Sequence, residues 1–169
     1  GNTSAVAGKD AVNLSGNINA TNSLNGITGY SASGAGVNFT SGNQTLNGVI
    51  YGSSNTGVGI NLTAGNQIFT TALGGTTNIT GVSNSSYGVV DAGATFNFTN
   101  TGDGNLSLTG FSNSMAGVYI NSAADVVNSG NGTLSLSGIT NHTSSSGLVF
   151  NGTSNLTSSR LGILNVSGY

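Results

Sequence analysis

The chain has no cysteine and no proline among its 169 residues, and charge is almost missing. Without cysteine there is no disulfide framework and no thiolate metal site, although this does not fix the compartment. Only 4% of residues are charged, against about 25% in ordinary globular proteins. The basic residues are Lys9 and Arg160, the acidic ones Asp10, Asp91, Asp103 and Asp125, and the net charge is −2. Nucleic-acid binding needs clustered Lys and Arg to displace counterions, so that class is excluded, and an anionic membrane surface is disfavoured for the same reason. No run of 18 apolar residues occurs, and Gly1 does not open a signal peptide. The expectation is one segment, 1–169, cut from a longer protein, with no membrane insertion of its own. Helix signals are missing too: no apolar stripe keeps helical spacing, and glycine interrupts every long window.

What is present is glycine, serine, threonine and asparagine, together with 36% apolar residues that alternate with polar ones. Disordered linkers do not alternate, so the pattern reads as ordered strands. Short examples are Val12-Asn-Leu14, Val37-Asn-Phe39, Ile60-Asn-Leu62, Phe96-Asn-Phe98 and Val118-Tyr-Ile120. A phrase recurs as well, running apolar, polar, apolar, small polar, glycine, apolar. Its clearest copies are Leu106-Ser-Leu-Thr-Gly-Phe111, Leu134-Ser-Leu-Ser-Gly-Ile139 and Leu164-Asn-Val-Ser-Gly-Tyr169. Aligned on Gly26, Gly48, Gly81, Gly110, Gly138 and Gly168, the steps are 22, 33, 29, 28 and 30 residues. A near-constant period of this size marks an array whose units stack on one another.

A second glycine anchor follows at Gly36-Val37, Gly57-Val58, Gly88-Val89, Gly117-Val118 and Gly147-Leu148. Small polar stretches such as Ser83-Asn-Ser-Ser86 and Ser112-Asn-Ser114 separate the two anchors and read as corners. A sandwich would require hairpins at Asn25-Gly26 and Asn47-Gly48, inside the repeated phrase, and a propeller blade is longer than these units. The spacing therefore predicts an all-β fold, a right-handed parallel β-helix of about six coils of roughly 22–33 residues. Its expected core includes Val37, Phe39, Ile60, Leu62, Phe96, Phe98, Leu106, Leu108, Val118, Ile120, Leu134 and Leu136. The phrase-ending residues Ile27, Val49, Val82, Phe111, Ile139 and Tyr169 are expected to form one more inward stack.

Signals for chemistry are sparse. Asp91, Asp103 and Asp125 fall in corner-like segments about a coil apart and read as exposed turn residues or, alternatively, as a thin acid–base site without cationic helpers. His142 is the only histidine, and no serine has a nucleophile-elbow context. Gly102-Asp103-Gly104 resembles a calcium-binding turn, but in one copy without further acids. No catalytic, cofactor-binding or metal-ligating residue is expected, and no cofactor. Asn-x-Ser/Thr occurs fifteen times. It reads either as N-glycosylation sites or as strand alternation, which throws both polar residues outward around an apolar one. The residues expected to face a ligand are Tyr30, Tyr51 and Tyr87 in corners, able to stack on sugar rings, with Asp91 and Asp125.

The repeated Leu-x-Leu-Thr-Gly-Phe and Gly-Val-x-Ile-Asn phrases resemble those of filamentous-haemagglutinin-like adhesins of two-partner secretion, and next those of autotransporter passengers. The resemblance spans essentially the whole chain and rests on repeat style. It implies a bacterial exoprotein: a long β-helical shaft, secreted to the cell surface, that binds host cells or other bacteria. The amino-terminal secretion domain of that family carries an Asn-Pro-Asn-Gly motif. A chain without proline would be shaft instead. The implied function is that of a non-enzymatic structural shaft and adhesive surface, with a host or bacterial cell-surface receptor or glycan as partner and end-to-end stacking on adjacent coils. The alternative is a carbohydrate-active β-helix, binding polysaccharide or cleaving it as a lyase or tailspike does.

Overall fold

A computed structural model describes residues 8–63, 66–71, 74–93, 95–159 and 161–169. Among these residues every regular element is a strand, and no helix long and apolar enough to cross a membrane is present. The strands follow in order as β1 (Val12–Leu14), β2 (Ile18–Ser31), β3 (Val37–Phe39), β4 (Asn43–Ser54), β5 (Ile60–Leu62), β6 (Asn66–Thr71), β7 (Thr76–Ser83) and β8 (Val89–Asp91). They continue as β9 (Thr95–Asn100), β10 (Asn105–Ser112), β11 (Val118–Ile120), β12 (Ala123–Asn128), β13 (Thr133–Thr140), β14 (Leu148–Phe150), β15 (Ser154–Ser158) and β16 (Ile163–Gly168). All pairings are parallel and stack into a β-solenoid of about five turns, close to the six coils expected.

One wall is a six-stranded sheet of three-residue strands in the order β1-β3-β5-β8-β11-β14. Five of the strands are apolar-x-apolar triplets and β8 ends in Asp91 instead, and alternation sends the outer two side chains of each inward. Val12, Val37, Ile60, Val89, Val118 and Leu148 form one column in register. Leu14, Phe39, Leu62, Asp91, Ile120 and Phe150 form the other. The second wall is a ten-stranded sheet bent around the core. Phe98 pairs with Val126 there, Leu106 with Leu134, and Ile50, Ile79, Leu108 and Leu136 continue one another from turn to turn. These side chains are buried in a single cluster between the walls. No unit could bury both of its faces alone, so stacking supplies the core.

Two sequence expectations are corrected here. The repeat glycines that pair across turns are Gly29, Gly52, Gly81, Gly110, Gly138 and Gly168, at steps of 23, 29, 29, 28 and 30 residues. Gly26 and Gly48 lie three to four residues earlier, at φ 117° and 149°, where β2 shifts register against β4. Likewise the second anchor of the third turn is Gly59-Ile60, not Gly57-Val58, because Ile60 pairs with Val37 and Val89.

The phrase-ending residues do not line the core. Counting by twos from Leu106 and Leu108 puts Gly110 inside and Phe111 outside. Phe111 is 38% exposed and Val49 49%, Tyr169 is exposed, and Val82 and Ile139 are half-covered on the outer surface. Only Ile27 of that set packs against the core. The inward places are taken instead by Leu46, Ile50, Ile79 and Val126, and by polar Gln44, Thr77, Asn100 and Asn128.

The turns that begin at β8, β11 and β14 contain a corner that the first two lack. Asn100 Nδ2 donates to Gly104 O and Asn128 Nδ2 to Gly132 O, each at 2.8 Å, while Ser158 Oγ donates to Gly162 O at 2.7 Å. The backbone of one corner rests directly on the next: a Cβ at Gly132 would lie 1.8 Å from Gly104 O. Only glycine fits at such a distance.

Candidate functional site

The other corner, between β7, β10 or β13 and the triplet strand that follows, carries the most regular polar chemistry. Ser31, Ser54, Ser83 and Ser112 occupy its first inward position and are buried. Each hydroxyl donates to a carbonyl of the turn beneath: Lys9 O, Gly34 O, Gly57 O and Ser86 O, at 2.6–2.7 Å. Each also accepts an N–H three residues on, from Gly34, Gly57, Ser86 and Met115, at 2.8–3.0 Å. A serine doing both at once shapes its own corner and fastens it to the neighbour. Outside it stands an asparagine ladder, Asn84 Nδ2 to Asn55 Oδ1, Asn113 to Asn84, and Asn141 to Asn113, at 2.8, 3.1 and 2.7 Å.

The corner runs five residues from serine to glycine in the earlier turns and is lengthened in the last, where Thr140 replaces the serine and Gly147 closes it. The lengthened corner carries the polar residues His142, Ser145 and Ser146. His142 is exposed, and its Nδ1 accepts the Ser144 N–H at 3.3 Å. The residue before the closing glycine is Val58, Tyr87, Ala116 and Ser146 in successive turns, so a large ring stands beside a methyl group. A groove of about 330 Å³ opens there across three turns. Tyr87 and Tyr119, stacked at 4.9 Å between centroids with 29° between planes, form one side. Met115, Val149, Ala116, Ser114, Ser145 and Ser146 complete it. The Tyr119 hydroxyl lies 3.3 Å from Asn121 Oδ1, which Asn151 Nδ2 also reaches at 2.8 Å.

The expected ligand-facing residues are dispersed. Tyr87 does occupy a corner and the groove. Tyr30 and Tyr51 lie within β2 and β4, not in corners, and face each other on a different part of the surface at 5.8 Å and 53°. Tyr30 is 50% exposed and Tyr51 half-buried. Asp91 is not at an exposed corner. It is 0% exposed, on the inward column between Leu62 and Ile120. Its Oδ2 accepts from the hydroxyl and the N–H of Ser122, and its Oδ1 from Gly93 N. Asp125 is exposed on the outer face of β12, flanked by inward Ala124 and Val126. Asp91 thus points inward from the six-stranded wall and Asp125 outward from the ten-stranded one, and the two carboxylates are not brought together. Asp103 is exposed and accepts from Asn131 Nδ2 at 2.9 Å. Among the described residues no three His, Asp or Glu side chains gather.

The Asn-x-Ser/Thr sequences follow the strand alternation in large part. Their central Phe39, Leu62, Ile79, Phe98 and Leu106 are buried, so the flanking polar residues face out. Asn38 is the exception: it is buried, and its Nδ2 donates to Asp10 Oδ2 at 2.8 Å. The groove residues missed in the sequence were Met115, Tyr119 and Val149. The usable signal was the outward middle place of the triplets, where Asn13, Asn38 and Asn61 give way to Val90, Tyr119 and Val149. No protein-family model, curated protein or solved structure matches the chain.

Proposed function

We propose that this chain is a non-enzymatic length of shaft from a secreted bacterial cell-surface adhesin, with an outer surface that meets a receptor or glycan on host or bacterial cells. The reading is supported above all by the parallel register that continues through both walls from turn to turn. Such an array extends by adding turns and holds distant parts of a protein apart. Its polar chemistry is spent on joining turns: serine to carbonyl, asparagine to asparagine, Asp91 to Ser122. The carboxylates stand apart from one another, whereas glycoside hydrolysis needs two of them flanking one bond.

A display experiment tests this reading. The chain is anchored on a non-adherent bacterium, and attachment of host and bacterial cells is counted against the anchor alone. The expected result is attachment above the anchor, with no release of reducing ends from added polysaccharides. Attachment equal to the anchor alone, with far-UV dichroism showing a folded chain, overturns the adhesive role. Polysaccharide cleavage that disappears in Asp91→Asn or Asp125→Asn overturns the non-enzymatic one.

A further inference from the structure

We propose that the groove between Tyr87, Tyr119 and the Thr140–Gly147 corner binds one or two rings of a neutral saccharide. The inference rests on the adhesive reading only for the source of the sugar, a cell-surface glycan, since the site itself is argued from its lining. Three observations carry it.

The first is the floor. Tyr87 and Tyr119 are held against each other as a rigid pair, and the Asn121 amide braces Tyr119. Met115, 40% exposed, and Val149 extend the apolar surface. Tyrosine offers a large, stiff apolar face at small entropic cost together with a polar edge. The C–H face of a pyranose is the complementary shape.

The second is the rim. Ser114, Ser145 and Ser146 line the groove, and a hydroxyl both donates and accepts, as sugar hydroxyls require. Ser114 Oγ is shielded from solvent and has no hydrogen-bond partner in the protein. Because Ser114 lines the groove, a change of its χ1 rotamer would bring that hydroxyl out to pair with a ligand hydroxyl there. A purely apolar guest would leave Ser114 Oγ without a partner.

The third is charge. The lining contains no Lys, Arg, Asp, Glu or His, so the carboxylate of a sialic acid or uronate would find no cationic partner in it. The ligand is therefore a neutral sugar. The groove's volume of about 330 Å³ lies at the low end of the ~300–1,000 Å³ typical of small-molecule sites and is too small for a folded partner.

The chain offers its own probe, because Met115 is its only methionine. The full chain, labelled at the methionine methyl, is titrated with neutral oligosaccharides of galactose, glucose, mannose, fucose and N-acetylhexosamine. Sialyllactose and oligogalacturonate serve as anionic comparators. The expected result is a saturable shift of the single methyl signal with at least one neutral sugar, at a Kd of ~0.1–10 mM. Tyr119→Ala should weaken it about tenfold, and Tyr30→Ala, outside the groove, should leave it unchanged. Should Tyr119→Ala fail to fold, Met115→Glu at an exposed site takes its place with tyrosine fluorescence as the readout, and it should abolish binding. The proposal is overturned if no neutral sugar shifts the signal up to ~10 mM, if Tyr119→Ala and Tyr30→Ala behave alike, or if only the anionic sugars respond. Sugar binding in solution without cell attachment overturns the adhesive reading alone. Attachment without any sugar response overturns the groove assignment alone.

Discussion

The first two turns and the last three close the same solenoid with different cross-sections. In the first two, the long wall is one strand per turn, 14 residues in β2 and 12 in β4. In the later turns it is two strands, six residues in β9 and eight in β10, then six in β12 and eight in β13. The rise per turn measured on the triplet strands follows, from 25 and 23 residues to 29, 29 and 30. The extra residues are the glycine corner, folded by Asn100 and Asn128. The early turns bend instead through Gly26 and Gly48 at positive φ. A parallel stack tolerates a change of outline along its length provided the inward columns stay in register. Leu46 and Ile50 of β4 still meet partners in both neighbouring turns.

The largest effect expected from breaking this comparison is at the later corner. Gly132→Val places a side chain where Gly104 O already lies 1.8 Å from an added Cβ, so it should cost on the order of 4 kcal/mol. Hydrogen exchange should rise in β12 to β16 while β1 to β4 stay protected. Leu108→Ala, inside the shared core, should cost about 3 kcal/mol by denaturant unfolding. Asn128→Ala removes bonds to Gly132 O and Ile163 O, both 2.8 Å, and should cost about 2 kcal/mol. Gly26→Ala, with open space to 3.5 Å from Val49 O but φ at 117°, should cost about 1 kcal/mol from backbone strain alone. Phe111→Ala, on the outer face beside that core, should change stability by less than about 0.5 kcal/mol. A cost there equal to that of Leu108→Ala would restore the inward position expected for it.

The period, the parallel stacking and the triplet strands were legible because they are local: Val37-Asn-Phe39 or Val118-Tyr-Ile120 states its inward pair by itself. The register of the first turns was not. Asn25-Gly26 and Asn47-Gly48 imitate the small-polar–glycine of the repeated phrase, although the glycines that actually stack are Gly29 and Gly52. Phe111 could have been placed by parity, yet its recurring apolar place at the end of the phrase suggested one more inward stack. Asp91 could not, since the partner that makes an inward carboxylate tolerable, Ser122, lies 31 residues away. The groove was half legible. Tyr87 stood out as a corner aromatic, whereas the ring it stacks on and the small Ala116 that leaves the space belong to the following turn.

Cross-linking across the disputed register tests the stacking most directly, and a chain without cysteine gives a clean background. Val49 pairs with Asn78, two in-register strand neighbours within disulfide reach, whereas Val82 lies about 13 Å further along the strand. The double variant Val49→Cys/Asn78→Cys should oxidise to an intramolecular disulfide under mild conditions, and Val49→Cys/Val82→Cys should stay reduced. The reverse outcome would contradict the turn-to-turn register from which the core, the outer face and the groove all follow.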